Sequence, residues 1–238
     1  MHIALIGYGK MGKAIESIAL ERGHTIGLKA DSKTNFSIDD LKKHDVAIEF
    51  TNPHSSVGNI QKCMNAGIPV VIGSTGWYHD FEKVEEFLEE KKGTLLHATN
   101  FSIGVNLFWS FNAQIARTMQ KYEQYNVTVH EVHHTQKLDA PSGTAITTAE
   151  TIVKNYSHKQ HWVHGKQPAA NELEITHART DNVPGTHVVN YTSAIDDITI
   201  THTAHNRQGF ATGAIVAAEW LKGKKGIFTM RDVLGIDY

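Results

Sequence analysis

A single cysteine, Cys63, stands among 238 residues, so no disulfide can form within the chain. A reducing compartment is the natural setting, and the cytoplasm is the expected location. Cys63 shares a helical pattern with Ile60 and Met64 and reads as core. No apolar run approaches the ~20 residues needed to span a bilayer, which argues against a membrane role. An excess of either charge is also missing, the net charge being −2 with histidine neutral. A nucleic-acid-binding chain normally carries a basic excess, so that partner class is not expected. Met1-His2-Ile3-Ala4-Leu5-Ile6-Gly7 runs straight into a strand pattern, which leaves no room for a signal peptide. There is no internal repeat and no low-complexity tract. Histidine is plentiful instead, at sixteen residues. Most of these are scattered singly and read as ordinary surface or core residues.

The length suits one large domain or two small ones and can bury a sizeable core. The first hundred residues alternate strand-like and helix-like patterns. Strands are expected at 2–6, 24–30, 46–50, 70–72 and 94–98, with helices at 10–22, 55–66 and 80–92 between them. Such alternation implies a parallel sheet with right-handed crossovers. Beyond Gly104 the pattern changes. A long helix over 105–122 leads into β-branched residues at 125–129, and a further helix follows Pro141. Residues 157–171 read as loop. Segments 172–178, 187–193 and 197–204 alternate polar and apolar residues and read as antiparallel strands, one face wetted or used for association. A helix resumes at 210–221. The expected fold is α/β: a Rossmann-type parallel-sheet domain (1–104 and 208–238) and an α+β domain with a mixed or antiparallel sheet (105–207). The second is expected to serve substrate binding and oligomerisation.

Gly7-Tyr8-Gly9-Lys10-Met11-Gly12 fits G-x-G-x-x-G between the first strand and the first helix. In that setting the first glycine permits a tight turn and the second lets the backbone approach a pyrophosphate. The third lets helix and strand pack closely, while the helix start favours the anion. Asp31 follows the second strand, nineteen residues after Gly12. A carboxylate there suits ribose hydroxyls and NAD, whereas Lys10, Lys13, Lys29 and Lys33 suit a 2′-phosphate. Preference between NADH and NADPH stays open. Gly73-Ser74-Thr75-Gly76 and Asn100-Phe101-Ser102 follow the fourth and fifth strands, where ligands of doubly wound sheets sit. Gly73, Ser74, Thr75, Asn100 and Phe101 therefore join the candidate cofactor residues.

The densest chemistry lies at His130-Glu131-Val132-His133-His134-Thr135-Gln136-Lys137-Leu138-Asp139-Ala140-Pro141-Ser142-Gly143-Thr144-Ala145. His130 to His134 matches the zinc-protease pattern H-E-x-x-H, which needs a helix to bring both histidines to one metal. The approach through Asn126-Val127-Thr128-Val129 is strand-like, and four strand residues span about 13 Å. No metal site is expected. Read as strand then loop, the segment points His133 and His134 in different directions. Lys137 adds a positive charge and a transferable proton. Ser142 is a candidate helix cap, with Gly143 and Thr144 opening a carboxylate cradle beside the acid–base groups.

This stretch closely resembles the signature of the 4-hydroxy-tetrahydrodipicolinate reductases (dihydrodipicolinate reductases). The likeness extends over nearly the whole chain. It takes in the glycine loop, Phe50-Thr51-Asn52-Pro53, Gly73-Ser74-Thr75-Gly76, Asn100 to Asn106, Arg179, Gly185-Thr186-His187 and His205 to Phe210. The resemblance implies reduction of a cyclic unsaturated dicarboxylate imine with NADH or NADPH. It implies His133 as the acid–base histidine and Lys137 as the proton donor, with His134, Gly143 and Thr144 binding a substrate carboxylate. Arg207 is a further candidate partner for the dianionic substrate. A homotetramer, assembled through the second domain's sheet, is implied as well, as is domain closure on a hinge. Two departures stand out. Thr135-Gln136 replaces the family's usual Arg-His, and the first glycine is shifted by one from the commoner G-x-x-G-x-x-G. A two-domain sugar or polyol dehydrogenase, an NAD(H)-sensing module without turnover and a zinc hydrolase are the competing readings.

Overall fold

A computed structural model describes residues 1–206 and 208–238. In chain order the elements begin β1 His2–Ile6, α1 Lys10–Glu21, β2 Thr25–Ala30, α2 Ile38–Leu41, β3 Val46–Glu49, α3 Pro53–Ala66, β4 Val70–Ile72, α4 Phe81–Lys91 and β5 Thr94–His97. They continue α5 Ile103–Met119, β6 Asn126–His133, α6 Gly143–Asn155, β7 His161–His164, β8 Glu172–Arg179, β9 Gly185–Thr192 and β10 Asp197–Ala204. The chain ends with α7 Gln208–Leu221, β11 Gly226–Phe228 and α8 Met230–Leu234. Two compact units result, Met1–Ile103 with Gln208–Gly235, and Gly104–Arg207 with Ile236–Tyr238. No helix among the described residues is long and apolar enough to cross a membrane.

The first unit is built on a six-stranded sheet in the order β11-β5-β4-β3-β1-β2. Every neighbouring pair is parallel. Both faces are covered, which is why its inner strands are unbroken apolar runs such as Ile3–Ile6 and Val70–Ile72. On one face Ile15 and Ala19 of α1 meet Ala214, Ile215 and Ala218 of α7 against the sheet. On the other, Ile60, Cys63 and Met64 of α3 and Val84 and Leu88 of α4 pack together. Each buried Ile or Leu contributes about 2 kcal/mol. β1 lies between β2 and β3, so the chain passes from β1 to β2 on one side and then crosses back to β3 on the other. That reversal opens a crevice at the carboxyl ends of β1 and β3. β11 went unrecognised in the sequence. It extends the sheet by pairing with β5.

Two glycines hold the mouth of that crevice. Gly7 has φ +102, and a Cβ there would meet the Phe50 carbonyl oxygen at 2.1 Å. A Cβ on Gly12 would meet the Gly7 carbonyl oxygen at 2.5 Å, so α1 sits tightly on its own loop.

The second unit has a five-stranded sheet, β10-β9-β6-β8-β7. It is mixed: β6 pairs antiparallel with β9 and parallel with β8. β7 and β8 are parallel too, so of the two expected forms, mixed or antiparallel, the sheet is the mixed one. The loop expected over 157–171 is corrected, since it contains β7. Only Val163 of that edge strand is buried, which leaves no alternation to read. One sheet face is covered by α5 and α6, with Val105, Trp109, Ala149 and Ile152 packed on Val127, Val129, Ile175 and Val189. The Trp109 indole N–H donates to Thr148 Oγ1 at 3.0 Å and locks the two helices together.

Gly7→Ala should lower unfolding stability by about 2–4 kcal/mol, through clash and a disfavoured φ. Gly9→Ala, where a Cβ would meet open space, should cost less than about 1 kcal/mol. Denaturant titration of the two variants against the parent distinguishes these outcomes.

Candidate active site

The buried face of β6 runs Val127, Val129, Glu131, His133. Period-two alternation places two core residues and then two polar ones on the same face. Antiparallel register sets His187 opposite Glu131, and parallel register sets Arg179 beside His133. Glu131 is fully buried. Its Oε1 accepts the Ser142 backbone N–H at 3.0 Å and lies 3.5 Å from the Arg179 guanidinium. Its Oε2 lies 3.3 Å from His133 Nδ1 and 3.6 Å from His187 Nε2. Burial alone would push this carboxyl up. The contacts from His133, His187 and Ser142 outweigh burial and hold it far below the usual carboxylate range. Burial pushes the His187 ring below the ordinary histidine value, with Glu131 pulling the other way. His133 and His187 meet edge to face, their ring centroids 5.1 Å apart.

One ligand atom each from Glu131, His133 and His187 fall within 4.8 Å of one another, the donor types zinc accepts. Oε1, however, already holds an N–H and faces a guanidinium, which would repel a second cation. The arrangement is an ion-pair cluster. The H-E-x-x-H histidines do not converge on one point, because β6 is extended. His130 Nδ1 instead meets Thr176 Oγ1 at 2.7 Å.

Past β6 the chain turns, with the Lys137 N–H donating to the His134 carbonyl at 3.1 Å. Lys137 Nζ donates to both Asp139 carboxylate oxygens, at 2.8 and 2.9 Å. Burial works to raise the Asp139 carboxyl, but Lys137 holds it below its ordinary value. Arg179 grips the same turn. Its Nη2 donates to the Asp139 carbonyl at 2.7 Å and its Nε to the Lys137 carbonyl at 3.4 Å. Ser142 caps α6 as expected, its Oγ accepting the Ala145 N–H at 3.1 Å. Gly143 and Thr144 open the helix, with empty space where a Gly143 side chain would stand. His134 Nδ1 is buried with no hydrogen-bond partner among the described residues. His133, His134, Lys137, Gly143 and Thr144 thus gather around the end of β6 and the start of α6. Arg207 lies outside the described residues.

In the first unit Gly7, Tyr8 and Gly9 form the loop after β1, and Lys10, Met11 and Gly12 the first turn of α1. Among the described residues no side chain caps α1, and its first turn holds no acidic group. The positive end of the helix is left to an anion. Asp31 follows β2; Gly73, Ser74 and Thr75 follow β4; Asn100 and Phe101 follow β5. All sit at carboxyl ends of parallel strands. Asp31 Oδ1 accepts from Thr34 Oγ1 at 2.7 Å and from the Lys33 N–H at 2.9 Å, which holds its carboxyl low. Ser74 is buried, accepting the Thr51 N–H at 2.8 Å. The Phe101 side chain belongs to the core, so what it offers a ligand comes from its backbone. Tyr8 donates to Glu16, whose carboxylate also pairs with Lys29. Lys29 is therefore engaged locally, while Lys10, Lys13 and Lys33 remain exposed. A tight glycine turn, an uncapped helix start and a carboxylate after β2 together fit a dinucleotide.

Family models described as dihydrodipicolinate reductase, N-terminus, and dihydrodipicolinate reductase, C-terminus, match residues 1–101 and 104–234. The chain belongs to the dihydrodipicolinate reductase family. A 4-hydroxy-tetrahydrodipicolinate reductase from Christiangramia forsetii is 48% identical over 241 residues, covering 98% of each chain. Its counterpart from Neisseria meningitidis serogroup B is 33% identical over 230 residues, covering 93% of this chain and 84% of its own. Among solved structures, a dipicolinate-bound dihydrodipicolinate reductase from Paenisporosarcina sp. TG-14 aligns with TM-score 0.78. At 24% identity, covering 96% of this chain and 97% of that one, it bears on the fold alone. An amine dehydrogenase from Mycobacterium smegmatis aligns more loosely, with TM-score 0.55 and 10% identity over 97% of this chain and 95% of that one.

The resemblance read from His133–Ala145 and the glycine loop is borne out, and the competing readings fall. Sequence reasoning assigned no part to Glu131, Arg179 or His187. Glu131 was within reach, since a strand puts it on the His133 face. The other two enter through register with β8 and β9. Of the two residues that depart from the reductase family's usual motif, Thr135 donates to Asp181 Oδ1 at 2.6 Å.

The Glu131 carboxyl is lower in the folded chain than its ordinary value of 4.5. Its contribution to stability is therefore complete above about pH 4.5 and is lost as acid protonates it. His187, lowered from 6.5 by burial, acts in the same direction, because the unfolded ring binds protons first as the pH falls. Unfolding free energy measured from pH 7 to pH 3 should fall, and fall less steeply in Glu131→Gln. An equal slope in both proteins would contradict this account of the cluster.

Proposed function

We propose that His133 and Lys137 carry the proton chemistry of the dihydrodipicolinate reductase reaction in this chain. The reaction reduces 4-hydroxy-tetrahydrodipicolinate to tetrahydrodipicolinate, with loss of water, in diaminopimelate and lysine biosynthesis. Its reductant is NADH or NADPH. The observation that carries the residue roles is the gathering at the end of β6 of Lys137, a Glu131-backed His133 and the open start of α6.

When bound, the nicotinamide supplies the hydride. The chain's own residues do the rest. Hydride addition to a conjugated imine drives negative charge onto the ring, and a proton must arrive as that charge develops. Lys137 is the donor, held in its turn by Asp139 and Arg179. His133 faces the developing charge with Glu131 behind it. Gly143 and Thr144, at the positive end of α6, take one substrate carboxylate together with His134. Arg207 is assigned to the same dianion by its charge. Gly7, Tyr8, Gly9, Lys10, Met11 and Gly12 cradle the pyrophosphate, and Asp31 takes the adenosine ribose. Gly73, Ser74, Thr75, Asn100 and Phe101 line the nicotinamide end. Residues 1–104 and 208–238 thus serve the dinucleotide, and 105–207 serve the substrate. Self-association as a homotetramer is assigned to the second sheet, where Ile195 and Ile198 are exposed at and beside β10. The cytoplasm is the assigned location, consistent with the lone buried thiol.

Nicotinamide absorbance should fall when freshly generated 4-hydroxy-tetrahydrodipicolinate is added with NADH or NADPH. No oxidation of either would sink the reading. Lys137→Ala should lower kcat by about 100- to 1000-fold and leave the Kd for NADH unchanged. Collapse of NADH binding with turnover preserved would remove Lys137 from its role.

A further inference from the structure

We infer that buried Glu131 and half-buried Arg179 form one positioning pair that sets the two proton-handling residues relative to each other. The inference rests on the roles given above to His133 and Lys137. One end of the pair faces an imidazole: Glu131 Oε2 stands at ion-pair distance, 3.3 Å, from His133 Nδ1. The other end holds a backbone turn: Arg179 donates to the carbonyls of Lys137 and Asp139. The ends are joined because Arg179 Nη2 also lies 3.5 Å from Glu131 Oε1. His133 and Lys137 are thereby referred to a single rigid group. Neither Glu131 nor Arg179 needs to touch substrate.

The residue types suit this work. A carboxylate has four lone-pair sites, enough for an N–H, two imidazoles and a guanidinium. A guanidinium is a planar fork that can reach a carboxylate and two carbonyls at once, whereas a lysine ammonium is a point charge. Burial excludes water from Glu131, so its contacts are not screened. Ser142, whose N–H donates to Oε1 and whose Oγ accepts the Ala145 N–H, ties the start of α6 to the same group. Among the described residues, few charged and titratable groups face His133. They are Glu131 on β6, Arg179 on β8 and His187 on β9, with Lys137 and Asp139 in the following turn. His202 of β10 lies behind His187, their ring centroids 6.5 Å apart.

Three single variants and one combination test the pair in the full chain. Arg179→Met keeps the apolar stem and removes the fork. It should lower kcat by about 100-fold, the effect of a misplacement near 1 Å, with the NADH Kd unchanged. Arg179→Lys should recover only part of the loss. Glu131→Gln keeps an acceptor for the Ser142 N–H but removes the charge that faces His133 and Arg179. It too should lower kcat by about 100-fold with the NADH Kd unchanged. Glu131→Gln with Arg179→Met should lose no more than the worse single variant, because both disable one device. Multiplying losses in the double variant would overturn the pair. So would parent-like kcat in both single variants, or equimolar zinc in the purified protein. If the parent turns over and Lys137→Ala fails as expected while the Glu131 and Arg179 variants behave normally, only this inference falls. A parent without turnover instead removes the functional reading beneath it.

Discussion

A carboxylate buried out of reach of water must be answered by charge and donors from within the fold, and Glu131 imposes that demand on the second unit. Four elements meet it: β6 through His133, β9 through His187, β8 through Arg179 and the start of α6 through Ser142. Slipping β6 by one residue would turn Glu131 to the open face and bring Val132 inward, so the cluster also holds the register. A buried ion cluster adds little net stability, since desolvation offsets attraction. What it gives the fold is position. The apolar core ends at Val129 and Val189, and the polar end begins one strand step further on each side.

The first unit obeys a different constraint, close approach of backbones. The carbonyl of Phe50 comes so near the β1 loop that only glycine fits at position 7. The same compression leaves α1 starting directly over the strand ends with no side chain spent on capping it. Lone N–H groups at a helix start are an unmet demand in an isolated chain and a binding site once an anion arrives. In both units the chemistry lies where the regular core stops and a helix begins.

How much of this could be read from sequence depended on whether a signal was local. The parallel sheet was legible because short runs such as Ile3–Ile6 and Val46–Ile48 are separated by stretches of helical period. β11 was not, because Gly226-Ile227-Phe228 becomes a strand only by pairing with β5 more than a hundred residues earlier. β7 hid for the same reason, with histidines at both ends of a four-residue edge strand. His133, His134 and Lys137 announced themselves by residue type. Glu131 sat inside a zinc-like pattern, and once that pattern was refused on strand geometry it received no further role. Yet the refusal itself contained the answer, because residues two apart on a strand share a face. His187 and Arg179 depended on strand register between segments about fifty residues apart, which no periodicity records.

The two ends of the site differ in how firmly they are held, and the difference suits their work. Glu131 and His133 are buried and Arg179 is half-buried, and removing a partner of Glu131 would strand charge in the interior. Lys137 is tied by its side chain to Asp139, which is largely exposed, and exposed ion pairs contribute only about 0–1 kcal/mol. An arriving dicarboxylate can therefore replace Asp139 as the partner of Lys137 at little cost, while the turn beneath stays fixed through the Lys137 and Asp139 carbonyls. The backbone is anchored and the ammonium is exchangeable. A proton donor needs both, a set position from which to act and a partner it can leave.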